Sequence, residues 1–191
     1  MSLLLPDYRI VREVGRGANS RLYCVEHIHT GELRTAKHVE LNDADEKKFV
    51  EQLRAEQMTG QTLDHPVLRK VYDLLYIRKR LRVQAAVLLM EYVEGIDMGS
   101  SQFRWNLPQL LDYFRIAADG LHAMHHLGYV HADLKPGNLI VTPDDQIKLI
   151  DYGQSSAMLH AKERIQGTPD YMAPEQAKRS VLDQRTDVFG L

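Results

Sequence analysis

His131-Ala132-Asp133-Leu134-Lys135-Pro136-Gly137-Asn138 gathers an acid, a lysine and a carboxamide within eight residues. Thirteen residues after Asn138 comes Asp151-Tyr152-Gly153, directly behind a short strand candidate. The run Gly167-Thr168-Pro169-Asp170-Tyr171-Met172-Ala173-Pro174-Glu175 follows, and then Asp187. An acid, a lysine and an amide held close together can serve a hydroxyl, a phosphate and a metal ion. A second acid after a buried strand suits Mg²⁺, which takes carboxylates together with phosphate oxygens. Each fixed position arises by chance at roughly one in twenty under ordinary composition, so the ordered set is not accidental.

Pro108 to Leu127 carries the longest helical pattern. Pro108 suits a first turn, Leu110, Leu111, Phe114, Ala117, Ala118, Leu121 and Met124 recur at helical intervals, and Gly128 supplies a stop. Leu139 to Thr142 and Gln146 to Ile150 read as strands split by the turn signal Pro143-Asp144-Asp145. Upstream the pattern is mostly strand: Tyr8 to Val14, Arg21 to Glu26, Leu33 to Leu41, Val71 to Ile77 and Arg82 to Val93. One helix is expected over Asn42 to Gln61, opened by the capping-box spacing of Asp43 and Glu46. Arg78-Lys79-Arg80 is expected to be a solvated turn. A strand-rich lobe over residues 1–94 thus precedes a more helical one over 95–191, with a thin crossing near Glu91 to Gly95.

Between the first two strands lies Gly15-x-Gly17-x-x-Ser20. Glycine lets backbone amides approach a phosphate without a Cβ in the way. A plain hairpin turn explains the same residues, and a strand follows rather than the helix of a dinucleotide fingerprint. Lys37 in the third strand could meet a phosphate as a point charge or be an exposed strand lysine.

The 191 residues are 44% hydrophobic and 26% charged, which argues against wholesale disorder. Lys and Arg number 24 against 26 Asp and Glu, for a net charge of −2. That balance gives no general electrostatic case for nucleic acid or an anionic membrane. The single cysteine, Cys24, excludes an internal disulfide and a thiolate zinc cage. The longest apolar run, Ala85 to Met90, is too short to span a bilayer, and MSLLLPDYR does not read as a signal peptide. A cytoplasmic protein is expected. His122 and His126 share a helical face but lack a fitting carboxylate cluster, so they read as ordinary side chains.

From Tyr8 to Leu191 these motifs resemble the eukaryotic-type Ser/Thr protein kinases. The resemblance implies an α+β, bilobal fold with a β-rich N-lobe, one long helix in it, and a helical C-lobe. It implies that Gly15, Gly17 and Ser20 cover the phosphates of ATP. Lys37 would hold the α- and β-phosphates, with Glu56 as its partner. Leu22 and Ile140 would contact the base, Met90 would be the gatekeeper, and Glu91 to Val93 the hinge. Asp133 would be the catalytic base, Lys135 the partner of the transferred phosphate, and Asn138 and Asp151 the Mg²⁺ ligands. A protein substrate is implied. A nucleotide-binding pseudokinase and a small-molecule kinase remain the alternatives; the GTPDYMAPE segment, which shapes a protein-substrate shelf, disfavours the second.

Several residues depart from the family's pattern. Ser20 stands at the third loop glycine and Tyr152 at the usual phenylalanine. Ala132 replaces an arginine that normally clasps a phosphate on the activation segment, so activity is expected not to need phosphorylation of Ser155, Ser156 or Thr168. Gly60 falls four residues after Glu56, where a large apolar side chain is usual. The helix bearing Glu56 is therefore expected to be loosely held and to call on a regulatory partner or ligand. The chain stops as the central helix of the C-lobe begins at Asp187, and it reads as a member incomplete at its C-terminus.

Overall fold

The computed structural model describes residues 5–17, 19–41, 46–80, 82–161, 165 and 167–191. The chain divides into two units, one comprising residues up to Gln61 with Lys70–Tyr92, the other Thr62–Arg69 with Val93–Leu191.

The first unit is an antiparallel sheet with one helix. Its strands are β1 (Tyr8–Arg16), β2 (Arg21–His27), β3 (Leu33–Glu40), β4 (Val71–Lys79) and β5 (Arg82–Glu91), in the order β1-β2-β3-β5-β4. Every residue of β5 from Ala85 to Met90 is buried, as an inner strand covered on both faces requires. β1, at one edge, is exposed over most of its length. Leu5, Val25, Ala36, Val87 and Leu89 form one core cluster, flanked by Tyr8, Tyr23, Tyr72, Leu75 and Ile77. The Arg34 guanidinium lies 3.8 Å from the Tyr72 ring centre, a cation–π contact. Cys24 is a free, buried thiol, and burial pushes its pKa up.

The basic run is not a turn as expected. β4 continues through Arg78 and Lys79, and the reversal falls at Arg80, with φ 55°. β4 is the other edge of the sheet, where the exposed Arg78 side chain reaches solvent while the backbone of both residues still pairs with β5. Helix α1 spans Glu46–Thr62; the Asp43 cap expected for it lies outside the described residues. Polar side chains tie α1 to β4. Arg54 Nε donates to the Tyr76 hydroxyl, Gln57 Nε2 to the Tyr72 carbonyl at 3.3 Å, and Gln61 Nε2 to the same carbonyl.

The division departs from a cut near residue 94, because Thr62–Arg69 belongs to the second unit. Backbone pairing explains this. Leu149 N–H donates to the Val67 carbonyl at 2.7 Å, and Arg69 N–H to the Leu149 carbonyl at 3.1 Å.

The remaining elements are β6 (Ile96–Asp97), α2 (Leu107–His126), β7 (Tyr129–Val130), β8 (Leu139–Val141), β9 (Ile147–Leu149), β10 (Ser156–Ala157), α3 (Pro174–Ala177) and α4 (Gln184–Gly190). β6, β8 and β9 form one small sheet and β10 pairs with β7. The side chain of Asn106 caps α2 by accepting from Gln109 N–H, and Pro108 sits in the first turn. The buried stripe of α2 is Tyr113, Ala117, Gly120, Leu121 and Met124, while Leu111 and Ala118 are exposed. Gly120 belongs to the stripe because a Cβ there would fall 2.7 Å from Val67 Cγ1. Among the described residues no helix is long and apolar enough to cross a membrane.

Tyr113 fastens α2 to the β8–β9 turn. Its hydroxyl donates to Asp145 Oδ1 and accepts from Gln109 Nε2. Burial, then the hydrogen bond to Asp145, pushes its pKa up to about 12. The folded state therefore holds this proton above the ordinary value of about 10. Stability from this group is complete below pH 10 and is lost as pH rises through about 12. Chemical denaturation across pH 9 to 12 should show a fall that is smaller in Tyr113→Phe, by about 1–3 kcal/mol.

Candidate functional site

In the first unit the glycine turn is closed by Gly17 N–H donating to the Ser20 carbonyl at 2.8 Å. A Cβ at Gly17 would lie 2.7 Å from Ser20 Oγ, so the serine at the third position occupies room that the second glycine leaves. Ala18 lies outside the described residues. Lys37 is flanked across the sheet by Leu22 on β2 and Leu88 on β5. Its Nζ donates to both carboxylate oxygens of Glu56, at 3.0 and 2.7 Å. Glu56, on α1, is 4% exposed. The structure thus joins two residues nineteen positions apart that the family resemblance paired.

Met90 is buried at the end of β5, opposite Thr35 and Val71. Glu91 turns back on Lys70: its N–H donates to the Lys70 carbonyl at 2.9 Å and its carboxylate accepts from Lys70 N–H at 3.0 Å. Val93 is half-buried and opens the second unit's main segment, in which Ile140 is a half-buried residue of β8.

In the second unit the candidate residues gather around 131–138. Asp133 Oδ1 accepts from Thr168 Oγ1 at 2.8 Å, and Oδ2 accepts from Lys135 Nζ at 3.1 Å. Lys135 Nζ also donates to Thr168 Oγ1 at 2.9 Å, closing a three-membered network. Asn138, buried at the end of the single turn Pro136–Asn138, donates from Nδ2 to the Asp133 carbonyl at 2.8 Å. Its own carbonyl accepts from Ile150 N–H at 3.0 Å, which fixes it to the strand end that carries Asp151. Asp151 adopts the left-handed conformation, with φ 69° and ψ 78°, and accepts from Gly153 N–H. A left-handed residue other than glycine is strained, and such strain clusters at functional positions.

His131 and Tyr152 brace this segment. His131 Nδ1 accepts from Asp133 N–H at 3.3 Å, so Nε2 carries the proton and donates to the Ile150 carbonyl at 3.1 Å. The two rings meet edge to face, 6.0 Å between centres. The buried Tyr152 hydroxyl is satisfied by the carbonyls of Arg69 and Leu149, at 3.1 and 3.3 Å.

Asp187 was singled out by motif alone, and its work was not legible. It is 1% exposed, and its carboxylate accepts from the backbone amides of His131 and Ala132, at 2.9 and 2.8 Å. His125 Nε2 meets it at 2.8 Å. Three donors around one buried acid satisfy a charge that would otherwise be very costly. Glu175, on α3, accepts from Thr186 Oγ1 at 2.8 Å.

An amide oxygen and a carboxylate are hard donors that suit Mg²⁺, which needs few protein ligands when phosphate oxygens complete its shell. Asn138 fits that requirement, since its Nδ2 is engaged on Asp133 and its oxygen is the remaining donor atom. Among the described residues no three His, Cys, Asp or Glu side chains group as a metal site, the His122–His126 pair included.

The family described as protein kinase domain matches residues 8–191. An Aurora kinase of Eremothecium gossypii is 32% identical over 197 residues, covering 100% of this chain and 52% of that protein. An Aurora kinase of Saccharomyces cerevisiae is 31% identical, covering 100% and 52%. The serine/threonine-protein kinase PknA of Mycobacterium tuberculosis is 30% identical, covering 96% and 44%. The chain spans about half the length of these curated relatives.

Replacing Lys37 by Met removes the ammonium that meets the buried Glu56 carboxylate. Breaking one side of a buried pair costs about 3–5 kcal/mol. Urea unfolding should show a loss near the lower end of that range for Lys37→Met, and a smaller loss for Glu56→Gln, which keeps a hydrogen-bonding group but buries no charge.

Proposed function

Because the chain belongs to the protein kinase domain family, we propose that it transfers the terminal phosphoryl group of ATP to Ser or Thr hydroxyls of proteins. The observation that carries this is the Asp133 carboxylate, which already holds an alcohol O–H, that of Thr168, with a lysine ammonium alongside. A substrate hydroxyl presented to the same carboxylate would be oriented for attack and would give up its proton there.

Phosphoryl transfer has a loose transition state, so the protein mainly positions groups and neutralises charge. In this reading the strand-rich unit is the N-lobe and the second unit the C-lobe. Gly15, Gly17 and Ser20 cover the phosphates, and Lys37, held by Glu56, meets the α- and β-phosphates. Leu22, Met90 and Ile140 contact the base, and the backbone of Glu91 to Val93 binds its edge. Lys135 offsets charge on the moving phosphoryl group. Asn138 and Asp151 would hold Mg²⁺, which supplies charge neutralisation on the phosphate oxygens when bound. A cytoplasmic setting accords with one free, buried cysteine.

Ala132 offers no cation to a phosphorylated activation segment. Thr168, moreover, already donates to Asp133, so a phosphate on it would set negative charge against the base. Activity is therefore independent of activation-segment phosphorylation, and α1, lacking a side chain at Gly60, is where a regulatory partner would act.

Labelled-phosphate transfer from Mg-ATP to a protein acceptor tests the reading. Asp133→Asn and Asp151→Asn should each lower kcat by about a hundredfold or more, the scale of losing one preorganised polar contact. Near-unchanged turnover in either variant, with contaminating kinases excluded, would remove the assignment. Phosphatase treatment should leave turnover intact, whereas Thr168→Glu should abolish it.

A further inference from the structure

Gln176 lies on the four-residue helix α3, is 6% exposed, and uses both ends of its carboxamide. Oε1 accepts from Ala173 N–H at 3.0 Å, and Nε2 donates to the Ala132 carbonyl at 2.8 Å. These partners fix the orientation, since a flipped amide would set donor against donor and oxygen against oxygen.

The carbonyl that Gln176 holds belongs to the same peptide plane as Asp133 N–H. That amide is held at the other end by His131 Nδ1. On its preceding side Ala132 is pinned through its own N–H by Asp187 Oδ1. Ala132 has φ 60°, a left-handed conformation that an alanine keeps only when its surroundings over-determine it. Gln176 and Asp187 supply that over-determination from either side.

Gly167 keeps the arrangement open. At φ 124° it has no Cβ, and one built there would lie 3.1 Å from Gln176 Nε2 and 3.4 Å from the Ala132 carbonyl oxygen. The next residue, Thr168, is the one bonded to the Asp133 carboxylate.

We propose that Gln176 is a positioning residue for phosphoryl transfer: by fixing the Ala132–Asp133 peptide plane it sets the direction of the Asp133 carboxylate. The proposal rests on the kinase reading above. It does not follow from α3 packing alone, because it assigns the effect to one donated hydrogen bond.

The test uses the protein in its native length, with Gln176→Glu and Gln176→Met compared with wild type. A glutamic acid is isosteric, and when protonated it can still donate to the Ala132 carbonyl while accepting from Ala173 N–H. When ionised it places an oxygen against an oxygen. For Gln176→Glu, kcat relative to wild type should therefore be low at pH 8 and rise as pH falls towards 6. Gln176→Met should lose about tenfold in kcat at every pH, the scale of leaving one buried acceptor unmet, with KM for ATP within about twofold of wild type. A Gln176→Glu profile parallel to wild type, or a Gln176→Met loss accounted for by a smaller folded fraction, would overturn the proposal.

Hydrogen–deuterium exchange across residues 131–134 provides a readout that needs no turnover. Faster exchange there in Gln176→Met, with the rest of the second unit unchanged, supports the proposal; unaltered exchange overturns it. A wild-type protein without kinase activity would remove the phosphoryl-transfer reading, and exchange alone would then decide whether Gln176 sets the peptide plane.

Discussion

An ionised carboxylate cut off from water must be surrounded by donors, and the second unit is organised around one that is. Moving such an ion into a low-dielectric interior carries an idealised cost on the order of 20 kcal/mol before its partners are counted. Asp187 meets this through two consecutive backbone amides and His125. Its position on α4 therefore dictates where His131 and Ala132 run, and with them the start of the segment that bears Asp133, Lys135 and Asn138. The left-handed turn at Ala132 follows from that grip, because consecutive amides must both face one carboxylate.

The first unit uses an acid differently. Glu56 is buried against the Lys37 ammonium, whose stem rises from the middle of the sheet between Leu22 and Leu88. Here the pair links a helix to a strand, whereas Asp187 links a helix to a loop. Both are interactions whose failure leaves a bare charge, so each behaves as a latch between elements rather than as a small increment of stability. Glu56 holds the Lys37 side chain directly, whereas Asp187 holds the backbone that leads into Asp133.

Much of this was legible because the relevant residues have few other reasons to be where they are. Two glycines between strands, a lysine in a strand, and an acid, lysine and amide in one loop constrain chemistry and local geometry together. The pairing of Lys37 with Glu56 was legible only through the family resemblance, which sets the glutamate ten residues before Pro66. The contributions of Gln176, His125 and Asp187 were not legible. Their partners are mainly backbone groups, which every sequence supplies and no sequence marks. The allegiance of Thr62–Arg69 was hidden for the same reason, since it rests on main-chain pairing of Val67 and Arg69 with Leu149. Arg78 and Lys79 read as a turn because charge dominated the local signal, while the edge of a sheet accepts charge without interrupting its ladder.

Cys24 lies in the second strand of the five-stranded sheet, and its solitary thiol is both shielded and held in the protonated form by burial. Alkylating reagents attack thiolates, so the folded sheet is inert to them and reaction must wait for an opening. The rate of modification at this sulfur thus reports excursions of the sheet from its closed, folded state. With no other cysteine in the chain to compete, a single mass shift counts those excursions directly.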